Sequence, residues 1–280
     1  MLSISAIISQ ITVYFLAALA CGAFVRMGFL PLHISCIAGL SAYAFAYLCG
    51  EGVYPVLSAF AGVCLSSIAA SISGVIFLRV RRGSAALASI GLWFLFDRYV
   101  RTAEWTGGSE GLWRKIPCLS STEKILLSAL LVTFCALSYL LFQSTAAERL
   151  VTIQGHSPAL GKTVIKSNLL MSMFIMNAIA GICAGCSGII ITLQMGFLAP
   201  PTFSLQNSIL YVSVILVTGY KRVISIAVGS LLFSLLPEVL RICGLGNVEA
   251  SAWRGVIVGA VILCVILLQI PRSRAASFTK

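Results

Sequence analysis

Charge is what this sequence has least of. Only 10% of its 280 residues are Asp, Glu, Lys or Arg, against about 25% in soluble domains. The chain therefore lacks the solvating surface of a soluble globular protein. Alternation is missing too: no run follows the apolar–polar period of two that marks the strands of a membrane barrel. Histidine occurs twice, as His33 and His156 in unrelated segments, so no nucleophile–base constellation can be assembled and the chain reads as no enzyme. Cys183 and Cys186 form a C-x-x-C, but no second pair stands at zinc spacing, and no metal or redox role is expected. Most of the ten cysteines, Cys64, Cys135 and Cys264 among them, lie inside apolar runs, where a free thiol acts as a small hydrophobe. A basic region is also missing at the N-terminus, so no cleaved secretory signal is expected. The stretch Leu19-Ala20-Cys21 then reads as the end of a first helix rather than a lipoprotein cleavage site.

What is present is apolar bulk. Hydrophobic residues make up 59% of the chain and the mean hydropathy is +1.04. A helix needs ~20 apolar residues to cross ~30 Å of hydrocarbon. Solid apolar runs suit helices, which satisfy their own backbone in lipid. Such runs cover residues 5–25, 32–50, 53–78, 84–102, 123–143, 168–193, 206–220, 223–240 and 254–270. The fold expected is an all-α polytopic bundle of about eight to ten spans, forming one transmembrane domain over residues 1–280. The run at 84–102 is interrupted by Asp97, Arg98 and Arg101, and that at 206–220 is short. Either could be broken or re-entrant, where protein or water covers the backbone.

The formal net charge of +11 points to an anionic lipid leaflet rather than to nucleic acid, because the basic residues sit in short loops. With the N-terminus outside and the C-terminus inside, 12 of the 19 Lys and Arg fall on the inner side and 7 outside, with five of the eight acidic residues also outside. The positive-inside rule favours that orientation.

Two polar stretches interrupt the pattern, at about 103–122 and 145–166. In the first, adjacent Gly107 and Gly108 let backbone approach a partner or substrate, and Thr106 and Ser109 offer hydrogen bonds. In the second, Leu150, Val151 and Ile153 are apolar, while Arg149, Lys162 and Lys166 are basic. A short amphipathic helix is expected there, ended by Pro158, with Gly161 permitting the return to the membrane. The segment Gly155–Thr163 imitates a P-loop but has five residues between its glycines instead of four, and Pro158 removes an N–H, so it is not read as a nucleotide site. Gly181 and Gly185 form a G-x-x-x-G that, with Gly188, reads as a helix-packing face. Polar residues within the runs are His33, Asp97, Asn177, Gln206, Asn207 and Glu238. Asp97 and Glu238 stand near segment ends beside Arg98 and Arg241, which suits local pairing.

Family pattern extends this reading. Thr106-Gly-Gly-Ser-Glu-Gly-Leu112 resembles the T-G-G-S-[DE]-G-L element of branched-chain amino-acid ABC transporter permeases, the element that marks the M-type of their two permease subunits. Gly28 to Tyr43 resembles that family's G-x-L-S-x-G-H-x-x-x-x-G-x-G-A-Y, keeping Gly28, Leu30, Gly39, Ala42 and Tyr43. Gly196–Pro200 through Phe203, then Leu235–Arg241, is similar to its closing half, and Glu148 to Lys166, with Ala159-Leu160-Gly161, resembles its ATPase-docking loop. The chain departs from the family at Thr218-Gly219-Tyr220-Lys221, where Gly-Gly-x-Gly is usual. It departs again at Leu210, where an acidic residue is frequent, and in a docking loop carrying Thr152, Gln154 and His156 in place of an acidic cluster.

The resemblance implies a multi-pass permease subunit of an ATP-binding cassette importer in the inner membrane, moving branched-chain or related small amino acids or amides. It implies four partner subunits: a second permease subunit, as hetero- or homodimer, two ATP-binding subunits and an extracytoplasmic substrate-binding protein. ATP and Mg belong to the partners, so no cofactor is expected in this chain. Glu148, Ile153, Gln154, Gly155, His156, Ala159, Leu160 and Gly161 are expected to couple to the ATPase. Thr106, Gly107, Gly108, Ser109, Asn177, Gln206 and Asn207 are expected along the external gate and path, and Gly39 joins the packing glycines. The alternative, an ion-coupled secondary transporter, calls for paired mid-membrane carboxylates or inverted repeats with broken helices.

Overall fold

A computed structural model describes residues 4–80, 82–112, 120–145, 148–149, 151–152, 166–242, 253, 255–260 and 263–264. Eight helices organise them: α1 (Ile4–Arg26), α2 (Ile34–Gly50), α3 (Pro55–Arg79), α4 (Arg82–Thr102), α5 (Ser121–Gln143), α6 (Lys166–Met195), α7 (Leu205–Thr218) and α8 (Val223–Ile242). No β-strand occurs among the described residues. Six stretches are long and apolar enough to cross a membrane: Ser5–Arg26, Pro55–Phe77, Thr122–Gln143, Leu170–Met195, Pro200–Thr218 and Val223–Leu240. The chain is an all-α integral membrane protein. The ninth expected segment lies mostly outside the described residues, although 255–260 within it are helical.

α2 has 17 residues, about 26 Å at 1.5 Å per residue, close to the lower limit for a span. α4 is longer, but Asp97, Arg98 and Arg101 crowd its last turns. Asp97 pairs with Arg101 at 2.8 Å and not with the adjacent Arg98. Residues four apart share a helix face, whereas neighbours do not. α5 starts at a capping box, in which Ser120 Oγ accepts from the Glu123 amide and the Glu123 carboxylate accepts from the Ser120 amide.

Two helices carry the centre. In α1, 78% of the most apolar stretch is buried, and in α6 72%, against 22% in α5 and α8. α1 packs on α2, α5, α6, α7 and α8, while α6 packs on α1, α2, α3 and α5. α5 instead turns outward a stripe of Leu126, Leu130, Phe134, Leu137 and Leu141 at the three-to-four-residue spacing of one helical face. In water such a stripe would drive aggregation; in a bilayer it faces lipid.

Lipid supplies no hydrophobic drive between helices, so association rests on close backbone approach and hydrogen bonds across the interface. Where α2, α3 and α6 meet, both are present. Gly181 of α6 lies against Ser66, Ser67 and Ala70 of α3, Gly185 against Ser66, and Gly188 against the Ala38 carbonyl of α2. Ser41 Oγ donates to the Gly185 carbonyl at 3.1 Å, Ser66 Oγ to the Gly181 carbonyl at 3.0 Å and Ser67 Oγ to the Ala178 carbonyl at 3.1 Å. These three glycines and three serines bring three helices together within this chain.

Candidate functional sites at the two membrane faces

At the face where α4 ends and α5 begins, residues 103–112 fold into a small cap. Two single 3₁₀ turns, Glu104–Thr106 and Gly108–Glu110, are joined at Gly107, which is left-handed at φ 78°. Thr106 is fully buried, and its hydroxyl donates to the carbonyls of Val100 and Ala103 at 2.6 and 2.7 Å. Its side chain thus satisfies carbonyls at the end of α4. Trp105 stacks edge-on against Tyr47 of α2, with ring centroids 5.7 Å apart, and its Nε1 donates to Tyr99 Oη at 3.0 Å. Ser109 and Glu110 are exposed.

This cap is tied to the connection between α6 and α7. The Leu112 amide donates to the Leu198 carbonyl at 2.7 Å and the Leu198 amide returns the bond to Leu112 at 3.3 Å. Gly111, at φ 86°, is pressed against the Leu198 carbonyl. The tie joins two segments more than eighty positions apart in sequence, 106–112 and 196–203.

From Leu198 the chain runs inward. A 3₁₀ turn at Pro200–Phe203 precedes α7, and the Phe203 carbonyl accepts from Trp93 Nε1 at 2.9 Å. Trp93 stands nine residues before the end of α4, about 13 Å along the axis, so residues 199–204 re-enter the bundle and α7 starts inside it. Non-helical backbone at that depth must be satisfied by protein. Trp93 serves Phe203, Asn207 Nδ2 donates to the Thr202 carbonyl at 2.8 Å, and Ser204 Oγ caps the Asn207 amide. The Phe203 ring fills the space beside Gly39, near Tyr43 and Phe96. The short seventh apolar run is therefore a re-entrant turn plus a 14-residue helix.

The opposite face holds a charged cluster. Arg26, the last residue of α1, donates through Nη1 to Glu148 Oε1 at 2.6 Å and through Nη2 to the Tyr220 carbonyl at 2.7 Å. Its guanidinium lies 5.1 Å from the Tyr139 ring centroid and 5.7 Å from that of Tyr220. The Arg26 side chain is 3% exposed and that of Glu148 20%. Glu148 and Arg149 are helical, as are Val151 and Thr152. Thr152 Oγ1 donates to Glu148 Oε1 at 3.0 Å, and Val151 is fully buried. Ile153, Gln154, Gly155, His156, Ala159, Leu160 and Gly161 lie outside the described residues.

Asn177 is placed apart from both faces. It is fully buried in α6 against Gly74 of α3, and neither amide atom has a partner among the described residues. Eighteen residues separate it from Met195, about 27 Å of helix, so it does not join Thr106, Gln206 or Asn207. Gln206 is exposed and Asn207 closes the turn before α7. His33 is the N-cap residue of α2, but its side chain makes no capping bond; its Nε2 lies 3.1 Å from Ser73 Oγ between the rings of Phe24 and Phe77.

Arg26, Tyr139 and Trp93 are site residues that sequence reading did not single out, while Gly111, Leu198 and Tyr220 stood inside quoted motifs without a role of their own. For Glu148 a signal existed: it is the one acidic residue that the inner loops hold in the N-out arrangement. Tyr220 falls within the departure at 218–221, where its backbone and ring both engage Arg26.

A family model described as the permease component of branched-chain amino acid transport systems matches residues 3–266. Neither a curated protein nor a solved structure matches the chain.

Proposed function

The chain belongs to the branched-chain amino-acid transport permease family, a family of transport components rather than catalysts, and we propose that it is the membrane-spanning subunit of an ATP-binding cassette importer. The observation that carries this reading is the extent of the match, residues 3–266. The energy source is then a pair of separate ATP-binding subunits. A second permease subunit completes the path, and an extracytoplasmic binding protein delivers the substrate, a branched-chain or related small amino acid or amide. The Arg26 face is cytoplasmic and the Leu198 face external, in the inner membrane. ATP closes the cytoplasmic side and shifts the population from outward-open to inward-open.

Proteoliposomes holding the chain with its permease partner and the ATPase subunits should accumulate labelled leucine only when ATP is enclosed and binding protein is added. Uptake that ignores ATP and follows an ion gradient would replace this reading with a secondary carrier. The orientation has its own test. In a cysteine-free background, a cysteine at position 82 should react with an impermeant maleimide only from the cytoplasm, and one at position 110 only from outside. Labelling of both from one side would overturn the assigned topology.

A further inference from the structure

Resting on the importer reading, we propose that Arg26 is the positioning residue through which the cytoplasmic segment beginning at Glu148 moves the transmembrane bundle. The geometry makes it a joint between four elements. Arg26 closes α1, the most deeply buried of the candidate spans, which packs on five other helices. One arm of its guanidinium holds Glu148 at 2.6 Å and the other holds the Tyr220 carbonyl, in the turn between α7 and α8, at 2.7 Å. The flat face of the group is flanked by Tyr139 of α5 and by the Tyr220 ring.

The carboxylate is itself fixed. Thr152, four residues further along, donates to the same Glu148 oxygen, so Glu148, Thr152 and the guanidinium form one unit. Val151 is fully buried and anchors the segment alongside the pair. A displacement of the segment is thus delivered first to the end of α1 and to the α7–α8 turn. α7 leads back to Phe203 and Leu198 at the other face, so the same turn lies in line with the external cap.

Arginine suits this task where lysine would not. Its rigid planar fork holds two acceptors at once while stacking on aromatic rings, whereas an ammonium is a single point of charge on a flexible stem. Burial makes the pair specific, since the low local dielectric strengthens it and penalises either partner left alone.

The test uses the full chain assembled with its permease partner, ATPase subunits and binding protein, with uptake and ATP hydrolysis measured in the same vesicles. Glu148→Gln keeps a hydrogen-bond acceptor but removes the charge. ATPase subunits should still co-purify and hydrolyse, while leucine taken up per ATP falls roughly tenfold, the scale of one charge-assisted hydrogen bond. Arg26→Lys, which keeps the charge but loses the fork, should fall between this variant and the parent. A purely structural pair would instead lower the amount of folded chain in the membrane and leave uptake per ATP unchanged in what remains. Unchanged coupling in both Glu148→Gln and Arg26→Lys overturns the proposal. Absence of ATP-driven uptake in the parent protein overturns the importer reading, and this proposal with it; normal uptake in the parent with normal coupling in the variants overturns the role of Arg26 alone.

Discussion

Replacing Gly188 with valine is expected to cost the folded bundle on the order of 3 kcal/mol and to strip much of the chain from the membrane. The Cβ that valine adds meets the carbonyl oxygen, carbonyl carbon and Cα of Ala38. All three are backbone atoms of α2, so no side chain can rotate away and the helices must separate. Overpacking typically costs 1–3 kcal/mol, and here the separation carries further losses. Ser41 Oγ and Ser66 Oγ reach the Gly185 and Gly181 carbonyls at 3.1 and 3.0 Å, distances that leave little slack before the bonds break. Interhelical hydrogen bonds in membranes average ~0.6 kcal/mol each. Gly91 of α4 supplies the control, since a Cβ there meets nothing within 4 Å. Gly91→Ala should be neutral or gain up to about 1 kcal/mol from helix propensity. Unfolding of both variants in detergent, followed by denaturant titration, reads the difference. Equal stability of Gly188→Val and the parent would mean that α2 and α6 are not held at backbone contact.

The helices themselves were legible because lipid imposes a length. The runs at 5–25, 123–143 and 168–193 are observed as Ile4–Arg26, Ser121–Gln143 and Lys166–Met195, each within about two residues, the usual uncertainty of a helix end. Depth was not legible. Residues 206–220 form an apolar run whether they start at the surface or inside the bundle. What sets the difference is Trp93, more than a hundred positions away, which satisfies the Phe203 carbonyl and lets bare backbone sit within the protein. Long-range polar pairs were hidden for the same reason. Asp97 stands beside Arg98 in sequence yet faces Arg101, which helical geometry predicts once the helix is granted. Arg26 and Glu148 are 122 positions apart, and no local rule joins them. The glycines of the 106–112 motif were visible as a group, but their individual roles depend on what each backbone faces.

Those roles separate sharply, and Gly111 carries the largest expected functional effect. Its φ of 86° and ψ of 174° lie in a region that essentially only glycine adopts. A Cβ at this position would strike the Leu198 carbonyl oxygen and approach Ala199 Cα to 3.1 Å. Gly111→Ala therefore strains the backbone by about 1–3 kcal/mol and pushes away the carbonyl that pairs with the Leu112 amide. The two bonds between Leu112 and Leu198 are each worth about 1 kcal/mol net. Losing both along with the strain opens the cap by about two to three and a half orders of magnitude, at about 1.4 kcal/mol per factor of ten. Gly108 is the contrasting case. Its φ is 61° and the nearest atom to an added Cβ is the Arg101 carbonyl oxygen at 3.4 Å, an ordinary contact. Asparagine tolerates left-handed backbone, so Gly108→Asn should leave uptake within about twofold of the parent. On the importer reading, Gly111→Ala should abolish most ATP-driven uptake while the chain still reaches the membrane and still binds ATPase subunits, because the cap lies at the face away from Arg26. Hydrogen exchange at the Leu112 amide gives a readout that needs no transport: protection should disappear in Gly111→Ala and persist in Gly108→Asn. Retained protection in Gly111→Ala would show that the cap holds without the Leu112–Leu198 tie, and normal uptake together with lost protection would remove the cap from the transport cycle.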